Sequence, residues 1–149
     1  MGRAKPGSIG NDPLLSHALP SYHPNIPDGC PPTDARPMRG VIYRSLRGAK
    51  PEAIDFQSHA ERNVSSVGPE CQKWGLSVWL SEEDVKHARS VMAFFRRKHI
   101  ACGQVTPLHG VIKRTPSGNQ PNHHTYWRDH TIDFVPLFRV VMPPVPASG

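Results

Sequence analysis

The sequence predicts an α+β fold, and three observations predict it. Residues 74–99 read W-G-L-S-V-W-L-S-E-E-D-V-K-H-A-R-S-V-M-A-F-F-R-R-K-H, a strand, a tight turn and an amphipathic helix in succession. Runs rich in β-branched and aromatic residues flank that unit at 40–46, 109–115, 123–127 and 137–142, with turn residues between them. Eight of the 17 prolines precede Gly40, so the first 39 residues cannot form regular helix and carry few large apolar side chains to bury. The expected organisation is an extended proline-rich arm (1–39), possible cover for the domain surface, then a single α+β domain (40–142), then a proline-rich tail (143–149). The domain would be built on a small antiparallel or mixed sheet with one main amphipathic helix.

Each element has a local cause. Gly40 to Leu46 alternates, with Val41, Tyr43 and Ser45 on one face and Ile42, Arg44 and Leu46 on the other. Arg44 therefore shares a face with two apolar residues, and needs a partner, a ligand or an edge position. Pro51 suits the first turn of a short helix through residue 62, with Ala53, Ile54, Phe56 and His59 as packing positions. Residues 63–73 read as a loop. Leu76 to Leu80 has strand composition, and Ser81 then stands at the N-cap, with Asp84 three residues on and Glu82 and Glu83 in the first turn. Val85, Ala88, Val91, Met92 and Phe95 form the apolar stripe of the main helix. Further strands are expected at 101–106, 109–115, 123–127 and 137–142, with a turn-rich loop at 116–122.

The net charge of +6 and a pI near 9.6 favour an anionic partner, protein or nucleic acid, or a solvated basic surface. No apolar run of about eighteen residues is present to span a membrane, and the N-terminus lacks the apolar core of a signal peptide, so a cytoplasmic protein without a membrane partner is expected. Oligomeric state is not legible. Cys30, Cys71 and Cys102 are odd in number with no C-x-x-C, which fits a reducing compartment and implies no disulfide framework.

The order Tyr43-Arg44-Ser45, then Gly75-Leu76-Ser77-Val78-Trp79, then a helix carrying Ala88, resembles the ADP-ribosyltransferase-like fold over residues 41–92. In that family an early strand presents an Arg or His to a nicotinamide dinucleotide, and a later strand ends in a Ser or Thr motif lining the same cleft. The resemblance implies NAD as the small-molecule ligand. Tyr43, Arg44, Ser45 and Ser77 would contact it, with Arg44 on a phosphate and Ser77 shaping the nicotinamide pocket. It also implies a small toxin or effector that modifies a macromolecular target. Many members carry a catalytic Glu on a late strand. This chain departs from them, because no Glu follows Glu83 and only Asp129 and Asp133 remain as late acids.

Two other readings rest on different residues. His109, Lys113, His123, His124, Thr125 and Tyr126 lie within eighteen residues of a basic segment, and two histidines with a lysine are what metal-independent RNA cleavage requires. Thr125 or Tyr126 would orient the phosphate. RNA binding without cleavage is a variant of this reading, using Arg96, Arg97 and Lys98 at the end of the main helix and Lys113, Arg114 and Arg128 near Tyr126 and Trp127. A non-catalytic inhibitor of another protein is the third. Metal binding is not expected, because Cys102, His109, His123 and His124 have no standard ligand spacing and adjacent strand residues point to opposite faces.

Overall fold

The computed structural model describes residues 20–146, so the expected arm over 1–19 and tail over 147–149 lie outside the described residues. The architecture is α+β, but with two antiparallel sheets where one was expected. Strands β1 (Arg36–Pro37), β2 (Gly40–Leu46), β3 (Leu76–Val78), β4 (His99–Val105), β5 (Gly110–Arg114), β6 (His124–Arg128) and β7 (Phe138–Met142) are joined by helices α1 (Glu70–Lys73) and α2 (Glu82–Val91). One sheet has the order β1-β5-β6-β3 and the other the order β2-β4-β7.

Among the described residues a single bridge, between Tyr43 and Trp79, links the sheets and sets the geometry between them. Tyr43 N donates to Trp79 O at 2.7 Å, and Trp79 N donates back to Tyr43 O at 3.0 Å. An antiparallel ladder continued from that pair would bring Ser45 opposite Ser77. Instead the Arg44 guanidinium enters, donating through Nη1 to Ser77 O at 2.9 Å. β2 is therefore both an edge of its own sheet and the wall of a cleft against β3.

Apolar periodicity explains the packing on either side. Ile42, Leu46, Leu76, Val78, Val105, Tyr126 and Phe138 belong to one buried cluster. Trp79, Val85, Ala88, Phe95, Ile100 and Met142 form a second, beneath α2. Removing about 150–250 Å² from water for each aromatic side chain makes these clusters the main source of stability. Ser81 caps α2 as expected, its Oγ accepting from Asp84 N at 3.1 Å.

Several boundaries differ from the sequence reading. α2 ends at Val91, because Met92 takes an extended conformation (φ −127°, ψ 108°), and residues 93–97 form a separate 3₁₀ turn. Phe95 stays buried by packing on Trp79, with ring centroids 4.8 Å apart. The helix expected at 51–62 reduces to a 3₁₀ turn at Ala53–Phe56. There Asp55 sits in a reciprocal capping box with Glu52, which holds the turn without extending it. Pro51 lies before that turn rather than inside it. The loop at 63–73 contains the single helical turn α1.

The cysteine reading is also corrected. Cys30 and Cys71 are joined in a disulfide, with their Cα atoms 5.5 Å apart, and Cys102 is free and buried. An odd count leaves one thiol over; it does not forbid a pair that folding brings together. The bond ties the described part of the arm to the segment entering β3. The arm is held further by Ser21, whose N donates to Asp129 Oδ2 at 2.9 Å, and by β1 pairing with β5.

Among the described residues, no helix is long and apolar enough to cross a membrane.

Candidate functional site

The cleft between β2 and β3 has a volume of about 420 Å³, within the range of small-molecule sites. β2 contributes Arg44 and Ser45, β3 contributes Ser77, and His123 and Thr125 come from the start of β6. Trp79, Met92, Phe94 and Phe95 give it an apolar wall, and Phe94 is 53% exposed at that wall.

Arg44 is half-buried, on the face of β2 that also carries the core residues Ile42 and Leu46. Besides the bond to Ser77 O, its Nε donates to Asp55 O at 2.5 Å. Both acceptors are backbone carbonyls, so the positive charge keeps no carboxylate in direct contact through these bonds. Burial pushes the guanidinium down to about 10; the nearby Asp55 charge opposes this, and Arg62 and Arg128 add to it. Arg44 thus remains a cation at neutral pH inside a partly desolvated cleft, the condition under which it attracts an anion most strongly.

The segment behind Arg44 is clamped. Asp55 caps Arg47 N at 2.9 Å and Glu52 N at 2.8 Å. Glu61 pairs with Arg128 of β6 at 3.2 Å, both side chains largely buried, and Arg128 also donates to Phe56 O. The 3₁₀ turn and the residues after it are thereby fixed to the β6 side of the cleft.

Ser77 and His123 are forty-six residues apart and in contact, with Ser77 Oγ 2.9 Å from His123 Nε2. The other ring nitrogen, Nδ1, lies 3.0 Å from Thr115 O and 3.0 Å from Thr115 Oγ1. Thr115 Oγ1 is in turn 2.7 Å from Thr125 Oγ1. The Trp79 ring meets the imidazole edge-on, with centroids 5.6 Å apart. Burial lowers the His123 pKa; the Thr115 backbone bond opposes this and the His124 charge reinforces it. His59, also lining the cleft, is lowered by burial and by Arg62 and Arg44.

Gly75 is required where β3 begins. A Cβ there would stand 2.3 Å from Thr125 Cγ2 and 3.2 Å from the Trp127 ring. Close approach of this backbone to β6 is what seats Ser77 opposite Thr125 in the ladder.

Of the residues singled out from sequence, Arg44, Ser45, Ser77, His123 and Thr125 line one cleft. Tyr43 does not. It packs instead against the apolar cluster under α2. His109 is likewise elsewhere, in the turn between β4 and β5, where its Nδ1 accepts from Thr106 N at 2.8 Å. Thr115 N bonds His123 O, so His109 and His123 stand at opposite ends of the β5–β6 hairpin, about 20 Å apart along the strand. Lys113 is paired with Asp34 at 3.1 Å. The trio expected for RNA cleavage is therefore not assembled.

The late acids are also accounted for. Asp129 accepts from Ser21 N and from the Thr131 backbone and hydroxyl; burial raises its pKa, but these bonds outweigh it and hold the carboxyl below its ordinary value. Asp133 caps Val135 N. Among the described residues lining the cleft, none carries a carboxylate, and the late strand presents His123 and Thr125 instead.

Sequence reasoning missed Thr115 and Gln120, whose Oε1 accepts from Trp79 Nε1 at 3.2 Å and helps close the apolar wall. The signal for Thr115 was present. A hairpin closed over the P-S-G-N-Q-P-N turn sets Thr115 across from His123. No protein-family model, curated protein or solved structure matches the chain.

Proposed function

We propose that the cleft binds a nicotinamide dinucleotide and that the chain is a small ADP-ribosyltransferase-like protein, a toxin or effector acting on a macromolecular target. The observation that carries this reading is the contact between Arg44 and Ser77. The two are 33 residues apart in sequence, and the resemblance required them to share a cleft. A cleft whose walls met on opposite faces of a sheet would have ended the proposal.

The residues present fit such a ligand. Arg44 is a cation held by carbonyl acceptors, so an arriving phosphate gains a charge-assisted bond without displacing a carboxylate from those contacts. Phe94, 53% exposed at the cleft wall and backed by the buried Trp79 and Phe95, supplies a surface on which a planar ring is removed from water. Lys73 extends the positive side of the cleft. The ligand would supply a ribose that becomes oxocarbenium-like as nicotinamide leaves. Arg44 would anchor the phosphate side, and the aromatic wall would exclude water from the reacting side.

The test is release of nicotinamide from NAD by the purified chain, followed by chromatography, with and without a cell extract as acceptor. Time-dependent release stimulated by extract, together with labelled NAD transferred to an extract component, is the expected result. Absence of release under both conditions would refute the enzymatic reading.

A further inference from the structure

The arrangement at the late strand goes further than the resemblance, and the following inference rests on the dinucleotide reading of the cleft. Nδ1 lies 3.0 Å from Thr115 O, which can only accept, and 3.0 Å from Thr115 Oγ1, which can also accept, so a proton on Nδ1 satisfies both contacts at once. In a neutral ring Nε2 is then a lone pair. Its partner at 2.9 Å, Ser77 Oγ, must donate. The Ser77 oxygen is left with its own lone pairs free, in a cleft that also holds a cation.

This is the geometry of a hydroxyl prepared to pass on a proton. The base lies within hydrogen-bond reach, and a third group fixes its tautomer. We propose that Ser77 and His123 form a proton relay that activates a hydroxyl-bearing acceptor, water or an alcohol group of the target, for attack on the ribose. Ser77 is the catalytic hydroxyl, and His123 is the positioning residue that acts through it. As the acceptor oxygen forms its bond to the ribose anomeric carbon, its proton passes to Ser77 Oγ, and the Ser77 proton passes to His123 Nε2. The bond from that carbon to the nicotinamide nitrogen breaks, and its electron pair leaves with nicotinamide, which departs neutral. The proton on His123 is then lost to solvent.

The surroundings of the imidazole favour the neutral ring. His124 is its neighbour in sequence, and Arg44 and Lys73 line the same cleft. Burial and the His124 charge disfavour a second proton, outweighing the Thr115 backbone bond that favours it, in keeping with the lowered pKa. A carboxylate at this place would stabilise a cationic ribose by charge. A neutral imidazole behind a serine removes a proton from the nucleophile instead.

The relay is tested with His123→Gln and Ser77→Ala in the full chain. Calorimetric titration with NAD should give the wild-type affinity for His123→Gln. Nicotinamide release should fall by about 100-fold or more. Wild-type turnover should decline at acidic pH as His123 is protonated, at a pH below the ordinary histidine value, and the decline should vanish in His123→Gln. Added imidazole should restore turnover to His123→Ala. Nitrogen NMR of the wild-type ring, a readout that needs no ligand, should show the proton on Nδ1. Normal NAD affinity with unchanged turnover in His123→Gln, or a proton on Nε2 alone, would overturn the relay and leave the dinucleotide reading standing. A wild-type chain that neither binds nor cleaves NAD would overturn both.

Discussion

Breaking the Cys30–Cys71 bond should destabilise the domain substantially, and its size follows from the chain it closes. The bond spans 41 residues, and the loop-closure entropy removed from the unfolded chain at that length corresponds to about 4 kcal/mol at 25 °C. For a domain of this size that is a fall in Tm of roughly 12–20 °C. The effect has a local part as well, because Trp127 Nε1 donates to Cys71 O at 3.0 Å and the same segment leads to Gly75 and the cleft. The assay is thermal unfolding, followed by circular dichroism, of the oxidised chain, the reduced chain and Cys30→Ser with Cys71→Ser. Thiol titration in denaturant should count one free thiol before reduction and three after it, since Cys102 alone is unpaired. Three thiols in the unreduced chain would refute the pairing. A Tm change below about 3 °C on complete reduction would refute the entropic argument.

Three other outcomes follow from the same geometry. Gly75→Ala should cost about 1–3 kcal/mol in urea denaturation, because the added methyl meets Thr125 at 2.3 Å, and it should weaken any ligand of the cleft by displacing β3. Glu61→Gln should cost about 3–5 kcal/mol by leaving Arg128 buried without its counter-charge; a loss under about 1 kcal/mol in the same assay would mean that the pair is solvated. His59 and His123 have folded pKa values below the ordinary 6.5, so the unfolded chain takes up protons first as pH falls. Their contribution to stability should be fully present above about pH 6.5 and decline as pH drops towards the folded values, with a shallower decline in His123→Asn when denaturation midpoints are compared.

How far the sequence carried the fold can be argued from particular residues. Ser81 with Asp84 marked the start of α2 because capping is a local event, legible within four residues. The end of α2 was not legible, since Met92 and Phe95 satisfy helical spacing equally well when the backbone turns extended between them. The short helix at 51–62 failed for a related reason. Its apolar pattern was imperfect, and Asp55 spends its carboxylate on capping and on Arg47 rather than on a further turn. The disulfide and the division into two sheets depend on contacts many residues apart, which no local pattern encodes.

The site was half legible. Alternation along 40–46 already required Arg44 to find partners, and it found the carbonyls of Asp55 and Ser77. Alternation could not separate Tyr43 from Ser45, which share a face; Tyr43 is taken up by the apolar cluster under α2, while Ser45 lines the cleft. The histidine cluster misled because nearness in sequence was read as nearness in space. A hairpin separates His109 from His123 by its whole length, and brings Thr115 to His123 instead.

The central claim is that Arg44 and Ser77 frame a dinucleotide site. Titration calorimetry with NAD, on the wild-type chain and on Arg44→Ala, tests it most directly, with a short single-stranded RNA as the parallel ligand. Saturable NAD binding by the wild type, lost in Arg44→Ala while the fold is retained by circular dichroism, is the predicted result. Salt-sensitive RNA binding with no NAD signal would contradict the account and assign the positive charge of the chain to a nucleic-acid surface.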